Sequence, residues 1–311
     1  MHNDTILITA PKVHPDALAL LQDYRIIHTD AKIAEDELWR LCSEEQPIAI
    51  LARYGKFNER VLSASPKLKI VARHGVGMDA IDQVAAARMG IAAKAAVGSN
   101  SQAVAELAIG LMFSCARLIS HIDRRMHEGH WDKDSYQGIE LHGKTLGVIG
   151  CGSIGGRVVR IAQAIGMKVI VCDPFVPQEK LPSGVERVNL EGLLERAHVV
   201  SLHCPLNDST RNMLDANTLA HLRPDAIVIN TARAGLFDEA AMQAVLYQGG
   251  LRLGLDCFVN EPVGADSPWL STPNTVLMPH VGGTTDGGMR GMGVGAAQHI
   301  LDHLGALTAG R

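Results

Sequence analysis

The sequence predicts an α/β protein built on two parallel sheets, and three features of the chain carry that prediction. Short β-branched runs alternate with helix-like segments from residue 5 to about 97, a long apolar helical pattern follows from about 101 to 127, and a second alternating series starts at "KTLGVIG". Strands separated by helical segments make βαβ units, and such units build parallel sheets.

In the first series the order is "TILITA", "PDALALLQDY", "RIIHT", "EDELWRLCSEE", "PIAILAR", "NERVLSAS" and "LKIVARHG". After "GSNSQ", apolar residues recur every three or four positions up to about residue 127, which predicts one long helix joining two modules. The second series is "KTLGVIG", "MKVIVCD", "AHVVSLHCP", "DAIVINTAR", "LRLGLDCF" and "TVLMPH", which predicts a second parallel sheet of at least six strands. A last helical pattern runs from about 285 to 304, ends in "GALTAGR" and leaves no room for a further domain. No internal repeat or low-complexity segment stands out.

Composition fits two ordinary domains, with 311 residues, 47% of them apolar and 20% charged. The net charge of -4, without blocks of like charge, argues against nucleic acid or an anionic membrane as partner and for a small diffusible one. Six scattered cysteines with no C-x-x-C pair read as reduced cytosolic thiols, and no metal site is expected. A strand-like run five residues from the start, with no basic segment before it, argues against a signal peptide. The apolar stretch "LAIGLMFSCA" (107–116) is too short to span a bilayer. The chain therefore reads as cytoplasmic.

The second series opens on Gly150-x-Gly152-x-x-Gly155, a weak pattern by itself in a chain with 31 glycines. Its context is specific, because an apolar strand precedes it, an amphipathic helix follows, and the next strand ends in Asp173, 23 residues after Gly150. Gly150 permits a tight turn, Gly152 a close approach of backbone to pyrophosphate, and Gly155 close packing of helix on strand. The N–H groups of Ser153 and Ile154, at a helix N-terminus, meet phosphate charge. Asp173 accepts hydrogen bonds from ribose hydroxyls and repels a 2′-phosphate, which favours NAD over NADP.

Ligands of open α/β sheets bind at the C-terminal ends of the strands. Three motifs lie at such ends: "NTARAG" (230–235), "GLDCFVNEP" (254–262) and "PHVGG" (279–283). Together with "PKLKIVARHGVGMDAID", "AELAIGLM", "GKTLGVIGCGSIG", "CPLNDSTRNML" and "INTARAGLFDEAAM", they make nearly the whole chain resemble the D-isomer-specific 2-hydroxyacid dehydrogenases. The resemblance implies a flavodoxin-like substrate-binding domain of residues 1–99 plus 286–311, with an inserted NAD-binding Rossmann domain of residues 100–285. It implies that Arg233 grips the substrate carboxylate and polarises the C2 oxygen, that His280 exchanges the proton, and that Glu261 partners that histidine. Backbone N–H groups of Val76 and Gly77 hold the carboxylate from the other domain. Cofactor contacts fall on Cys204, Thr231, Ala232, Asp256 and Gly283, with Asp256 facing the nicotinamide amide, and also on Arg233 and His280.

The residue types suit the chemistry. Oxidation of an alcohol moves a hydride from C2 to the nicotinamide while the hydroxyl proton goes to a base, and histidine exchanges protons near neutral pH. A neighbouring carboxylate orients the ring, and a fixed guanidinium offers a carboxylate substrate the bidentate grip that lysine lacks.

Departures from the family pattern are small. Ala234 stands where a second glycine is common, and Glu261 is the acid of hydroxy-acid enzymes where formate-type relatives carry glutamine. Arg53 matches an arginine of phosphoglycerate-oxidising relatives. With Lys56, Arg73 and His74 it flanks the carboxylate loop, as an anion site or as solvated charge. The preferred substrate is thus a phosphoglycerate-like or other anionic 2-hydroxy or 2-oxo acid. The alternatives are a glyoxylate or hydroxypyruvate reductase and, in a different class, an NAD-sensing corepressor-like binding protein.

The apolar excess over residues 100–127 implies a homodimer, and hinges are expected near residues 98–101 and 281–288. Of the 14 histidines, His121, His127, His130 and His142 read as linker residues, His203 as a strand-end residue near the adenine side, and His299 and His303 as helix surface.

Overall fold

The computed structural model describes residues 4–309. The chain divides into two compact units, residues 1–100 with 283–311, and residues 101–282. The sequence placed these breaks at 99/100 and 285/286.

The first unit contains β1 (Thr5–Ile8), α1 (Pro15–Leu20), β2 (Arg25–His28), α2 (Glu35–Glu45), β3 (Ala49–Ala52), α3 (Glu59–Ser63), β4 (Ile70–Arg73), α4 (Gln83–Arg88) and β5 (Ala92–Ala95). Its five strands are parallel in the order β2-β1-β3-β4-β5, the flavodoxin-like arrangement. Successive side chains of a strand face opposite sides of the sheet. Accordingly Leu7, Ile50 and Val71 pack under α2, α3 and α4, while Ile6, Ile8, Leu51 and Ala72 pack under α1 and the C-terminal helix. Covering both faces explains why β1 and β3 are buried at every position while the edge strand β2 is half exposed.

The second unit contains α5 (Ser101–Arg117), α6 (Ile119–His127), β6 (Thr145–Ile149), α7 (Gly155–Ala164), β7 (Lys168–Cys172), β8 (Val185–Arg187), α8 (Leu190–Arg196), β9 (Val199–Leu202), α9 (Ala216–Leu219), β10 (Ile227–Asn230), α10 (Glu239–Gln248), β11 (Arg252–Leu255) and β12 (Thr275–Leu277). These strands form one parallel sheet ordered β12-β11-β10-β9-β6-β7-β8. Counting from β6 as the first, this is the doubly wound dinucleotide order with a seventh strand added, and the order reverses between β6 and β9. Polar side chains cap several of its helices: Asn189 accepts from Gly192 N–H at α8, Asp215 from Thr218 N–H at α9, and Asp238 from Ala241 N–H at α10.

Two expectations need correction. The helical pattern of 101–127 is not one helix, because Leu118 adopts a left-handed conformation (φ 52°) and the axis bends by 63° between α5 and α6. No single described helix is long and apolar enough to cross a membrane. The last helix, α11 (Asp286–Ala309), does not turn both its histidines to solvent, since the His299 ring bonds the Ala95 carbonyl at 3.0 Å. The glycines of α11 have a packing reason: a Cβ on Gly291 would lie 2.6 Å from the Ser99 carbonyl oxygen, and one on Gly295 would lie 2.9 Å from Ala96 Cβ.

Candidate active site

At the end of β6 the chain turns on Gly150, whose φ of 88° suits glycine and where a Cβ would sit 2.7 Å from the Cys204 nitrogen. Gly155 is equally constrained, since a Cβ there would lie 2.0 Å from the Gly150 carbonyl oxygen. Gly152 differs: nothing lies within 4 Å of its Cβ position, and that open space fits the close approach of a ligand. The following helix α7 starts without a side-chain cap, and its first turn bond, from Gly156 N–H, goes to the Gly152 carbonyl at 2.9 Å. The N–H groups of Ser153 and Ile154 find no acceptor among the described residues. A helix start with unpaired N–H groups and its positive dipole end is where a pyrophosphate binds.

Asp173, just past β7, is held beside this turn. Its Oδ2 accepts from Cys151 N–H at 2.7 Å and its Oδ1 from Phe175 N–H at 2.9 Å, so the carboxylate is held in a fixed orientation. Across the sheet's reversal point, burial pushes the Cys204 thiol up to about 11, which keeps it protonated and makes it an apolar wall. His203 is partly buried: its Nε2 pairs with Ser201 Oγ at 2.8 Å, and loss of hydration pushes it down to about 4. At the end of β10, the Thr231 hydroxyl is buried with no partner among the described residues, an orphan that a bound ligand would satisfy.

The three strand-end motifs come together because β10, β11 and β12 are neighbours in register. Asn230 lies opposite Leu255, and Leu255 opposite Leu277. Arg233, Glu261 and His280 therefore follow the same edge of one sheet. His280 Nδ1 is 2.7 Å from Glu261 Oε2, and the other oxygen, Oε1, accepts from Phe258 N–H at 2.9 Å. A carboxylate only accepts, so Nδ1 carries the hydrogen and Nε2 is left for proton exchange. The His280 side chain is 51% exposed, which leaves its ring open to a ligand. Its backbone is left-handed (φ 54°), a conformation uncommon outside glycine and asparagine.

Two residues hold this edge in shape. Buried Asp256 accepts from Val281 N–H and Gly282 N–H, both at 2.8 Å, and so pins the loop that follows His280. Burial raises the Asp256 pKa and the two N–H bonds oppose that shift. The sequence marked Asp256 only as a cofactor contact, and this loop contact lay outside that reading. Asn230, fully buried, bonds both Ala232 N–H and the Arg233 carbonyl, a role that sequence reasoning missed although this residue opens "NTARAG". An Asn at a strand end before a turn was the available signal.

In the first unit, Arg73 is a structural residue. Its guanidinium donates to the carbonyl oxygens of Gly77 (3.1 Å), Ala52 (3.2 Å) and Arg53. It thereby shapes the "HGVG" loop, where the N–H groups of Val76 and Gly77 find no acceptor among the described residues. His74 is 4% exposed and Lys56 is exposed. Arg53 follows β3, its N–H bonds Thr9 Oγ1 at 3.0 Å, and its guanidinium lies 5.0 Å from the Tyr54 ring centroid. Gly283 belongs to this unit, where a Cβ would meet Asn100 Nδ2 at 2.9 Å.

Residues 109–282 match the family of the D-isomer specific 2-hydroxyacid dehydrogenase, NAD binding domain. The chain belongs to the D-isomer-specific 2-hydroxyacid dehydrogenases. It is 38% identical over 299 residues to the D-3-phosphoglycerate dehydrogenase of Methanocaldococcus jannaschii, covering 95% of this chain and 56% of that protein. It is also 38% identical over 280 residues to the hydroxypyruvate reductase of Thermotoga maritima, covering 89% of this chain and 90% of that one. Among solved structures, the TT0316 protein from Thermus thermophilus superposes with a TM-score of 0.90 at 29% identity, over 97% of both chains. The chain thus spans little more than half the length of the Methanocaldococcus relative. Its second unit contains the family's NAD-binding domain, and the glycine turn, the uncapped helix start and Asp173 fit that cofactor.

Proposed function

We propose that the chain is an NAD-dependent D-2-hydroxyacid dehydrogenase that acts on a small anionic 2-hydroxy or 2-oxo acid and prefers a phosphoglycerate-like one. The observation that carries this reading is the 2.7 Å bond of His280 to Glu261 on the strand edge that also bears Arg233. With Nδ1–H committed to Glu261, Nε2 takes the C2 hydroxyl proton during oxidation, and the imidazolium returns it to the carbonyl oxygen during reduction. Arg233 binds the substrate carboxylate and stabilises negative charge on the C2 oxygen as the carbonyl is reduced. Bound NAD supplies the hydride acceptor or donor. We assign its pyrophosphate to Gly150, Gly152, Ser153, Ile154 and Gly155, its ribose to Asp173, and its remaining contacts to Cys204, Thr231, Ala232, Asp256 and Gly283.

Residues 1–99 with 286–311 form the substrate-binding domain in this reading, and 100–285 the NAD-binding one. Val76 and Gly77 contribute N–H donors to the carboxylate. Arg53 serves a second anionic group, supported by its place between β1 and β3, where the first sheet reverses its strand order. Hydroxypyruvate is the second candidate substrate, because the Thermotoga relative matches over most of both chains. Exposed Phe113, Ile119, Met126 and Trp131 on and after α5 and α6 support a homodimer. The six free cysteines support a cytoplasmic location.

The test is NADH oxidation with glyoxylate, hydroxypyruvate, pyruvate, oxaloacetate and phosphohydroxypyruvate. Asparagine tolerates the left-handed backbone at position 280, so His280→Asn should lose turnover and keep NADH affinity. Protein that binds NADH and reduces none of these acids would support a binding role in place of catalysis.

A further inference from the structure

Asn230 is the last residue of β10, and its side chain is sealed from solvent. Its Oδ1 accepts from Ala232 N–H at 3.0 Å, closing a turn, and its Nδ2 donates to the Arg233 carbonyl at 2.8 Å. Both ends of one buried amide thus grip the dipeptide that carries the guanidinium. The Asn230 main chain is engaged as well: its carbonyl accepts from Asp256 N–H at 3.0 Å and from Cys257 Sγ at 3.8 Å. The side-chain amide is bonded at both ends, and the two peptides that flank the Ala232–Arg233 pair can leave their orientation only by breaking those bonds to a buried amide. Arg233 is extended there (φ −146°, ψ 138°), immediately before the 3-10 turn Ala234–Leu236.

We propose that Asn230 is the positioning residue of Arg233, fixing the direction in which the guanidinium leaves the backbone and hence the grip on the substrate carboxylate. This rests on the role given to Arg233 above. A buried amide that only satisfied a loop would serve stability and nothing else, whereas a positioning amide governs affinity for the acid and not for the dinucleotide.

Asn230→Asp separates the two roles, because it keeps the acceptor for Ala232 N–H and replaces the donor facing the Arg233 carbonyl. Asn230→Ser is the second variant, a hydroxyl too short to reach that carbonyl. In NADH oxidation with hydroxypyruvate, the KM for the acid should rise about tenfold or more, which is about 1.4 kcal/mol or more, while the KM for NADH stays within about twofold. Calorimetric titration of oxamate into the NADH-saturated protein, with Arg233→Ala as control, reads the same grip without turnover. Weakened oxamate binding in Arg233→Ala and in every Asn230 variant that folds, with NADH affinity kept, supports the proposal. Oxamate binding equal to wild type in a folded Asn230 variant overturns it, as does a parallel loss of NADH and oxamate. If Arg233→Ala binds oxamate as wild type does, the substrate role of Arg233 fails first and the proposal falls with it.

Discussion

His74 offers a quantitative test of how the first unit is built. Its side chain is 4% exposed, and Nε2 has no partner among the described residues. Burial, followed by the charges of Arg53 and Arg73, pushes it from 6.5 down to about 4. An imidazole kept neutral in the fold, but free to take a proton near pH 6.5 when unfolded, contributes its full stability above that pH. The contribution is lost as pH falls through 4, and the whole difference is about 3 kcal/mol, of which about 2 is gone by pH 5. His74→Leu removes the titrating group at similar volume. Urea unfolding at about pH 8 and about pH 5 should therefore show wild type losing about 2 kcal/mol more than the variant. His203, in the second unit, shifts the same way but is present in both proteins, so it cancels in the comparison. Stability curves that run parallel for the two proteins would sink the argument.

Three further outcomes follow from the geometry. Gly152→Ala should fold normally, since its Cβ meets nothing, yet lose NADH affinity by about tenfold or more in a fluorescence titration; unchanged affinity would remove the pyrophosphate from this turn. Gly155→Ala should lower the melting temperature, at a cost of about 1–3 kcal/mol, because its Cβ would lie 2.0 Å from the Gly150 carbonyl oxygen; an unchanged melt would refute the close packing. Asp256→Asn leaves one of two backbone N–H groups facing an amide NH2, so turnover should fall by about tenfold or more as the His280 loop shifts, and a stopped-flow rate equal to wild type would contradict the clamp.

The alternation of strands and helices was legible because both sheets are buried on two faces, which writes mostly apolar, fully buried runs into β1, β3, β9 and β10. Edge strand β8 was missed for the converse reason: it has three residues, two of them exposed and charged. The break at Leu118 left no mark, since an apolar residue in a left-handed conformation looks like any other leucine in a helical pattern. Glu261 and His280 stood out through their motifs. The bonds that fix them did not, because Asp256 reaches residues 25 and 26 positions away, and separations of that kind exist only after the strands have paired. Arg73 read as an anion ligand or a solvated charge for the same reason: the carbonyl oxygens of Gly77, Ala52 and Arg53 that accept from it are brought together only by the fold.

What the fold adds to the motifs is a line of polar bonds, anchored on two buried side chains, that joins the loops carrying Arg233 and His280. Asn230 grips the Arg233 turn with its side chain and takes the Asp256 N–H on its carbonyl; Asp256 in turn holds the two N–H groups after His280. Asn230 and Asp256 are buried, so each bond of theirs left unmade costs about 1–3 kcal/mol, and alternative conformations of the two loops are suppressed. The arrangement also divides the two carboxylates by environment. Asp256 is buried and each of its oxygens accepts one backbone N–H, whereas Glu261 is 36% exposed and turns one oxygen to the histidine. Exchanging the chemistry of these acids, Asp256→Asn against Glu261→Gln, should therefore damage different quantities. The first loosens the backbone that carries His280, while the second leaves the backbone in place and removes the fixed acceptor of Nδ1–H, so that only the second frees the imidazole to change tautomer.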